Sequence, residues 1–281
     1  MTKQLTGIDL IRPLSDVARK AGAEIKRIYH SNENMDIRSK TDDSPVTKAD
    51  IAAHHIIIDG LTRLTPDIPI LSEEGVDDTG STERRRWQRY WLVDPLDGTK
   101  EFIDRTGEFT VNIALVDQHK VILGIVYLPE KDVLYHAVTG QGAYRETAET
   151  SQRIFARPVR AGHPVSVVAS RRHGNESLEQ LLNTASKTLG RINKVNMGSS
   201  LKICALAEGK ADWYPRLSPT SEWDTAAAQI ILEEAGGKLV DTGFNPVRYN
   251  TKESLLNPFF HAFADSAYDW HAVLSTQHDA G

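Results

Sequence analysis

The sequence predicts an α+β N-terminal half built on an antiparallel sheet, residues 1–155, joined to a smaller α/β C-terminal half, residues 156–281. Three features point there. Two apolar runs with helical spacing come first. Three runs of branched residues separated by four-residue polar turns follow. Beyond about residue 155, strand and helix patterns alternate, and no internal repeat is detectable.

From Ile8, the residues Ile11, Leu14, Val17, Ala18, Ala21, Ile25 and Ile28 recur at intervals of three and four, which predicts a helix ending near His30. A second helix is expected after Pro45, with Thr47 as its N-cap and Ile51, Ala52, Ile56, Ile57 and Leu61 on its apolar side. Short strands are expected at 68–71 and 90–93, each ending in carboxylates. The runs 110–116, 121–128 and 133–138 form an expected meander, with turns at Asp117-Gln118-His119-Lys120 and Pro129-Glu130-Lys131-Asp132. A strand at 165–170 and helices at 177–189, 200–208 and 224–235 complete the reading, the last helix closed by Gly236-Gly237.

With 281 residues the chain exceeds the size at which one core usually stops growing, so one large or two closely packed domains are expected. The net charge of −5 and the lack of any basic cluster beyond Arg84-Arg85-Arg86 exclude a polymeric nucleic acid as partner. Cys204, the sole cysteine, sits among Leu201, Ile203, Ala205 and Leu206, where an inert buried thiol is expected. No apolar run approaches the ~20 residues that span a bilayer, and residues 1–6 carry no export pattern. A cytoplasmic protein without disulfides is the expectation, with peripheral association at the inner membrane surface left open.

The chemistry concentrates in Trp91-Leu92-Val93-Asp94-Pro95-Leu96-Asp97-Gly98-Thr99. Pro95 biases Asp94 toward an extended backbone and is expected to end the strand, so that the chain turns and both acids face one point. Gly98 permits close backbone approach, and Thr99 opens a short helical stretch whose N–H groups suit a phosphate. Two acids this close need a cation, and oxygen ligands without paired Cys or His indicate Mg²⁺ rather than zinc. An Asp-Pro/Asp-Gly turn with solvated side chains explains the same residues. Two further acids stand at element ends: Glu73 after a strand, and Asp224 in Trp223-Asp224-Thr225-Ala226-Ala227 at a helix start.

The segments 44–50 (Ser-Pro-Val-Thr-Lys-Ala-Asp), 71–74 (Leu-Ser-Glu-Glu), 91–102, 198–202 (Gly-Ser-Ser-Leu-Lys) and 223–227 occur together and in order. In that combination the chain resembles the inositol monophosphatase superfamily, most closely its bacterial 3′(2′),5′-bisphosphate nucleotidase branch. Lys100-Glu101-Phe102 looks like that branch rather than the Thr-Asn-Phe of inositol phosphatases. The resemblance implies a layered αβαβα sugar-phosphatase-like fold and a lithium-sensitive enzyme with two or three Mg²⁺ ions. The implied reaction converts adenosine 3′,5′-bisphosphate to AMP and phosphate, with 3′-phosphoadenylyl sulfate as a further substrate, and would relieve inhibition by a by-product of sulfate assimilation.

By the same resemblance Glu73, Asp94, the Leu96 carbonyl, Asp97 and Asp224 hold the metals, Asp94 bridging two of them. Asp50 and Thr99 orient the attacking water. Asp50 has a second explanation, since Thr47-x-x-Asp50 fits a capping box. Glu73, Leu96, Asp97, Gly98, Thr99 and Asp224 surround the phosphate, while Ser199, Lys202 and Arg216 contact the nucleotide, with the loop Ser170-Arg171-Arg172-His173 close by. The rival readings are an inositol or sugar phosphatase on the same fold and a noncatalytic cation-binding protein. No EF-hand loop, Walker lysine or His-Glu-x-x-His spacing occurs, Gly140-Gln141-Gly142 is read as a turn, and His54-His55 as packing or surface residues. A monomer is expected, with a dimer as the alternative.

Overall fold

A computed structural model describes residues 7–31, 36–39, 45–170 and 176–274. The expected first helix is α1 (Gly7–His30), and α2 (Lys48–Leu64) begins after Thr47, whose side chain accepts from Ala49 N. Between them lies a two-strand ribbon, β1 (Arg38–Ser39) and β2 (Pro45–Val46). The main sheet has seven strands in chain order: β3 (Ile70–Ser72), β4 (Arg89–Asp97), β5 (Thr110–Asp117), β6 (Lys120–Leu128), β7 (Val133–Val138), β8 (Gly142–Glu146) and β9 (Ser151–Ile154). Only the β3/β4 pair is parallel. The short α3 (Ser81–Arg84) precedes β4, and α4 (Thr99–Ile103) follows it.

The second sheet is mixed, in the order β11–β10–β12–β14–β13, from β10 (Val165–Ala169), β11 (Ile192–Asn196), β12 (Trp213–Arg216), β13 (Lys238–Asp241) and β14 (Phe260–Phe263). Its helices are α5 (Glu176–Leu189), α6 (Leu201–Ala207), α7 (Glu222–Glu234) and α8 (Trp270–Leu274).

Strand alternation sorts the core into layers. Along β4, Trp91 and Val93 face α1 and α2, while Tyr90 and Leu92 face α6 and α7. Those two helices also meet the near face of the second sheet through Tyr214, Leu239, Phe260 and Ala262. The far face, with Trp213, Phe263 and Val240, packs against α5 and α8 through Leu178, Leu182 and Trp270. The sequence α, β, α, β, α of layers is the one the motifs implied. Gly124 on β6 lets α7 sit directly on the sheet, because a Cβ there would lie 2.4 Å from the Ala227 carbonyl oxygen.

Two expectations are corrected. Pro95 does not end β4: the strand runs on to Asp97, and the register to β5 shifts between Asp94↔Asn112 and Asp97↔Thr110. Three steps on β4 thus match two on β5, a bulge that absorbs the proline. The second concerns α7, which starts two residues ahead of Asp224, with Ser221 as N-cap.

Candidate active site

The bulge decides where the acids point. Residues three apart on a regular strand face opposite sides of the sheet. One extra residue brings Asp97 back to the face that carries Asp94, the side covered by α7. There Asp224 joins them, and Asp94, Asp97 and Asp224 each offer a carboxylate oxygen within 4.8 Å of the others. Glu73, at the start of a 3₁₀ turn after β3, lies close enough to hydrogen-bond Asp94. The cavity of about 230 Å³ at this point is also lined by Leu96, Gly98, Thr99 and Glu101.

Burial and mutual repulsion dominate the electrostatics. Asp94 is pushed well above the usual carboxylate range by its burial, then by Glu73, Asp97 and Asp224. Asp224 is likewise raised well above that range by burial and by Asp97 and Glu73, against the Ser221 N–H that its Oδ2 accepts at 2.9 Å. Carboxylates whose charges lack compensation suit a hard divalent cation, and among the described residues no sulfur or imidazole joins the three-acid group. Glu73, Asp94, Leu96, Asp97 and Asp224 all line this cavity and could hold it.

Asp97 is fixed from the other half of the chain. Its Oδ2 accepts from Ser200 N at 2.6 Å, and Ser200 Oγ lies 2.7 Å from both Asp97 Oδ2 and the Asp224 carbonyl oxygen. Asn112 Nδ2 donates to Ser200 Oγ at 2.9 Å and approaches Asp97 at 3.4 Å. Sequence reasoning missed Ser200 and Asn112. The only signal was that Ser200 falls within Gly-Ser-Ser-Leu-Lys.

Asp50, 1% exposed, closes the capping box and also meets Thr99. Its Oδ2 accepts from Thr47 N (2.8 Å) and Thr47 Oγ1 (2.6 Å), closing the capping box, while Oδ1 accepts from Thr99 Oγ1 at 3.0 Å. Thr99 Oγ1 also approaches the Leu96 carbonyl at 3.3 Å. Burial raises Asp50 to about 6, against the Thr47 and Thr99 hydrogen bonds that favour its ionised form.

A second cavity, of about 120 Å³, opens beside the first and is lined by Ser199, Lys202, Tyr214 and Arg216. Lys202 Nζ donates to the Ser199 carbonyl at 2.7 Å and sits 5.5 Å from the Tyr214 ring centroid. Burial lowers Lys202 to about 8, with Asp97 opposing the shift. Arg216 anchors itself on the Ser218 and Pro219 carbonyls. Ser199 has φ of 45°, a region costly for a residue with a Cβ, and so turns into the cavity between two held neighbours. Gly198 N donates to Glu108 Oε2 at 2.7 Å. Ser170 lines the same cavity, but the rest of that loop, Arg171, Arg172 and His173, lies outside the described residues, as does Ser44.

The remaining candidates stand apart. His54 hydrogen-bonds Ser72 and meets His55 edge-on, and Cys204 is a buried free thiol. Gly140-Gln141-Gly142 turns into β8 with two N–H groups on the Glu234 carboxylate. No helix among the described residues is long and apolar enough to cross a membrane.

The description of the inositol monophosphatase family matches residues 9–275. The chain is 49% identical over 251 residues to the 3′(2′),5′-bisphosphate nucleotidase CysQ of Escherichia coli, covering 89% of this chain and 98% of that protein. It is 33% identical over 257 residues to the CysQ of Haemophilus influenzae, covering 92% and 93%. Among solved structures, CysQ from Bacteroides thetaiotaomicron superposes with a TM-score of 0.79 at 42% identity, over 90% of this chain and 96% of that one. A Thermotoga maritima inositol monophosphatase shares the fold, with a TM-score of 0.71 at 24% identity over 95% and 96%.

Proposed function

The chain belongs to the inositol monophosphatase family, and from that premise we propose that it hydrolyses the 3′-phosphate of adenosine 3′,5′-bisphosphate, giving AMP and phosphate. The observation that carries this reading is the pair of adjoining cavities with Asp97, Gly98 and Asp224 in their shared wall. One is an acid-lined site for the scissile phosphate. Its neighbour holds Lys202 and Arg216 for a second anion. A substrate with two phosphates on one small sugar fits that arrangement, and a monophosphate leaves the second cavity's cations unused.

Glu73, Asp94, the Leu96 carbonyl, Asp97 and Asp224 would hold Mg²⁺, two or three ions by analogy with the family. When bound, the ions neutralise the phosphate and sharpen the nucleophile and leaving group of an in-line displacement. The protein's own groups do the positioning. Asp50 holds the Thr99 hydroxyl, and Thr99 aims the attacking water at phosphorus from the side opposite O3′. The water's oxygen bonds to phosphorus as the P–O3′ bond breaks. Its proton leaves toward the Thr99–Asp50 pair, and O3′ is protonated from solvent. Ser200 and Asn112 keep Asp97 turned into the cavity, and the Lys202 ammonium and Arg216 guanidinium bind the 5′-phosphate. The same contacts admit 3′-phosphoadenylyl sulfate. On this reading the enzyme is a cytoplasmic monomer acting on a free nucleotide.

The test is phosphate release from adenosine 3′,5′-bisphosphate and from inositol 1-phosphate, each with Mg²⁺ or EDTA, alongside Asp94→Asn. The expected result is Mg²⁺-dependent turnover that prefers the nucleotide at least tenfold, disappears with EDTA and is abolished in the variant, with inhibition by lithium. Preference for the inositol ester would keep the metal chemistry and overturn the substrate. Cation binding without release from either would leave the noncatalytic reading.

A further inference from the structure

The two cavities share four lining residues: Asp97, Gly98, Asp224 and Glu101. The first three belong to the acid cluster or to its backbone. Glu101 does not. Its side chain rises from α4 into a slot that one glycine from each half of the chain leaves open. A Cβ at Gly198 would lie 2.7 Å from Glu101 Cγ, and a Cβ at Gly98 would lie 3.4 Å from Glu101 Oε2. The slot holds the carboxylate at the junction, half-buried. No hydrogen bond or ion pair to this carboxylate occurs among the described residues, and Lys202 senses its charge only through space.

An unpartnered carboxylate between two anion sites repels a bisphosphate unless the substrate brings it a hydrogen-bond donor. The bisphosphate reading itself supplies one. With the scissile phosphate among the acids and the other near Lys202 and Arg216, the sugar must cross the wall where Glu101 stands. The C3′–C4′–C5′ path between the phosphates carries no hydroxyl, and the sugar's one free donor is the 2′-hydroxyl, vicinal to the scissile phosphate whose cavity Glu101 lines.

Resting on the nucleotidase reading, we infer that Glu101 accepts a hydrogen bond from the ribose 2′-hydroxyl beside the 3′-phosphate. It is therefore a specificity residue selecting ribonucleotide over 2′-deoxyribonucleotide bisphosphates. A charged acceptor makes a strong bond to a hydroxyl and returns only repulsion to a substrate that lacks one. Discrimination therefore has two sources: the repulsion vanishes when the charge is removed, and the hydrogen bond vanishes only when the acceptor oxygen is removed as well.

The experiment compares kcat/KM for adenosine 3′,5′-bisphosphate and its 2′-deoxy analogue in the wild type, Glu101→Ala and Glu101→Gln, with melting temperatures as a folding control. The wild type is expected to favour the ribonucleotide about tenfold. Glu101→Ala should bring the ratio within about twofold of one, raising KM for the ribonucleotide and sparing the deoxy substrate. Glu101→Gln keeps an acceptor oxygen without the charge, and should retain a preference of about threefold. A wild-type ratio near one, or an alanine variant that slows both substrates equally, would overturn the inference while leaving the nucleotidase reading intact. No release from either substrate by the wild type would overturn both.

Discussion

The two oxygens of Asp50 are committed to different tasks: Oδ2 closes the N-terminus of α2, and Oδ1 receives the Thr99 hydroxyl. Stability and turnover can therefore be separated by removing one partner at a time. Thr47→Ala should cost about 1 kcal/mol of stability through the lost cap, with turnover within a few-fold of normal. Thr99→Ala should do the opposite, lowering kcat by roughly a hundredfold with little change in melting temperature. Asp50 should also set a pH limb. With its carboxyl raised to about 6, turnover that needs the ionised form falls as the pH drops through that value, and Asp50→Asn removes the limb with the activity. Near-normal turnover in Thr99→Ala would leave the capping role as the whole explanation. The acids of this site were legible because each ends a recognisable segment. Ser200 and Asn112 were not, since their purpose exists only once the two halves of the chain meet at Asp97.

At the scale of elements, the site depends on how closely α7 lies against the main sheet. Asp224 sits in its first turn, and the helix backbone rests against Gly124, where a Cβ would meet the Ala227 oxygen at 2.4 Å and Ile230 Cγ2 at 2.5 Å. Gly124→Ala must push α7 outward. The expected cost is about 1–3 kcal/mol, measured by chemical denaturation, together with a higher Mg²⁺ concentration for half-maximal activity as Asp224 withdraws from Asp94 and Asp97. Unchanged Mg²⁺ dependence at reduced stability would show that α7 tolerates the shift without moving its acid.

The same scale shows what could be foreseen. Helices α1 and α2 and the strands of the meander were legible because a single periodicity ran through each. Strands β8 and β9 were not, since Tyr144-Arg145-Glu146 and Ser151-Gln152-Arg153 lie toward the sheet's edge, where polar residues replace the apolar alternation. Strand β4 misled for a different reason. A proline ordinarily ends a strand, but the bulge between Asp94 and Asp97 lets this one continue and turns both acids to one side.

For the whole molecule, the far layer of the second sheet carries a titration unconnected with catalysis. His261 on β14 is 4% exposed and lies among the rings of Trp213, Phe244 and Phe263. Its Nδ1 accepts from the Trp213 indole N–H at 3.4 Å, so the neutral ring is the one that fits. Burial lowers it from 6.5 to about 4. Between those values the unfolded chain binds a proton that the folded chain refuses, so this residue's contribution is intact above pH 6.5 and is lost as the pH falls toward 4. The full effect is about 3 kcal/mol.

Asp50 and Glu222, raised by burial to about 6 and about 7, bind protons in the folded state and slope the other way over overlapping windows. The net acid response of the native protein therefore does not isolate the histidine, but a comparison does. His261→Asn keeps an acceptor for Trp213 and cannot be protonated in this range. The stability gap between the native chain and this variant, from urea unfolding at closely spaced pH values, should shift against the native chain by about 3 kcal/mol from pH 6.5 to 4. A gap that stays constant across the range would mean that His261 titrates alike in the folded and unfolded chain, and that the aromatic layer has no part in acid unfolding.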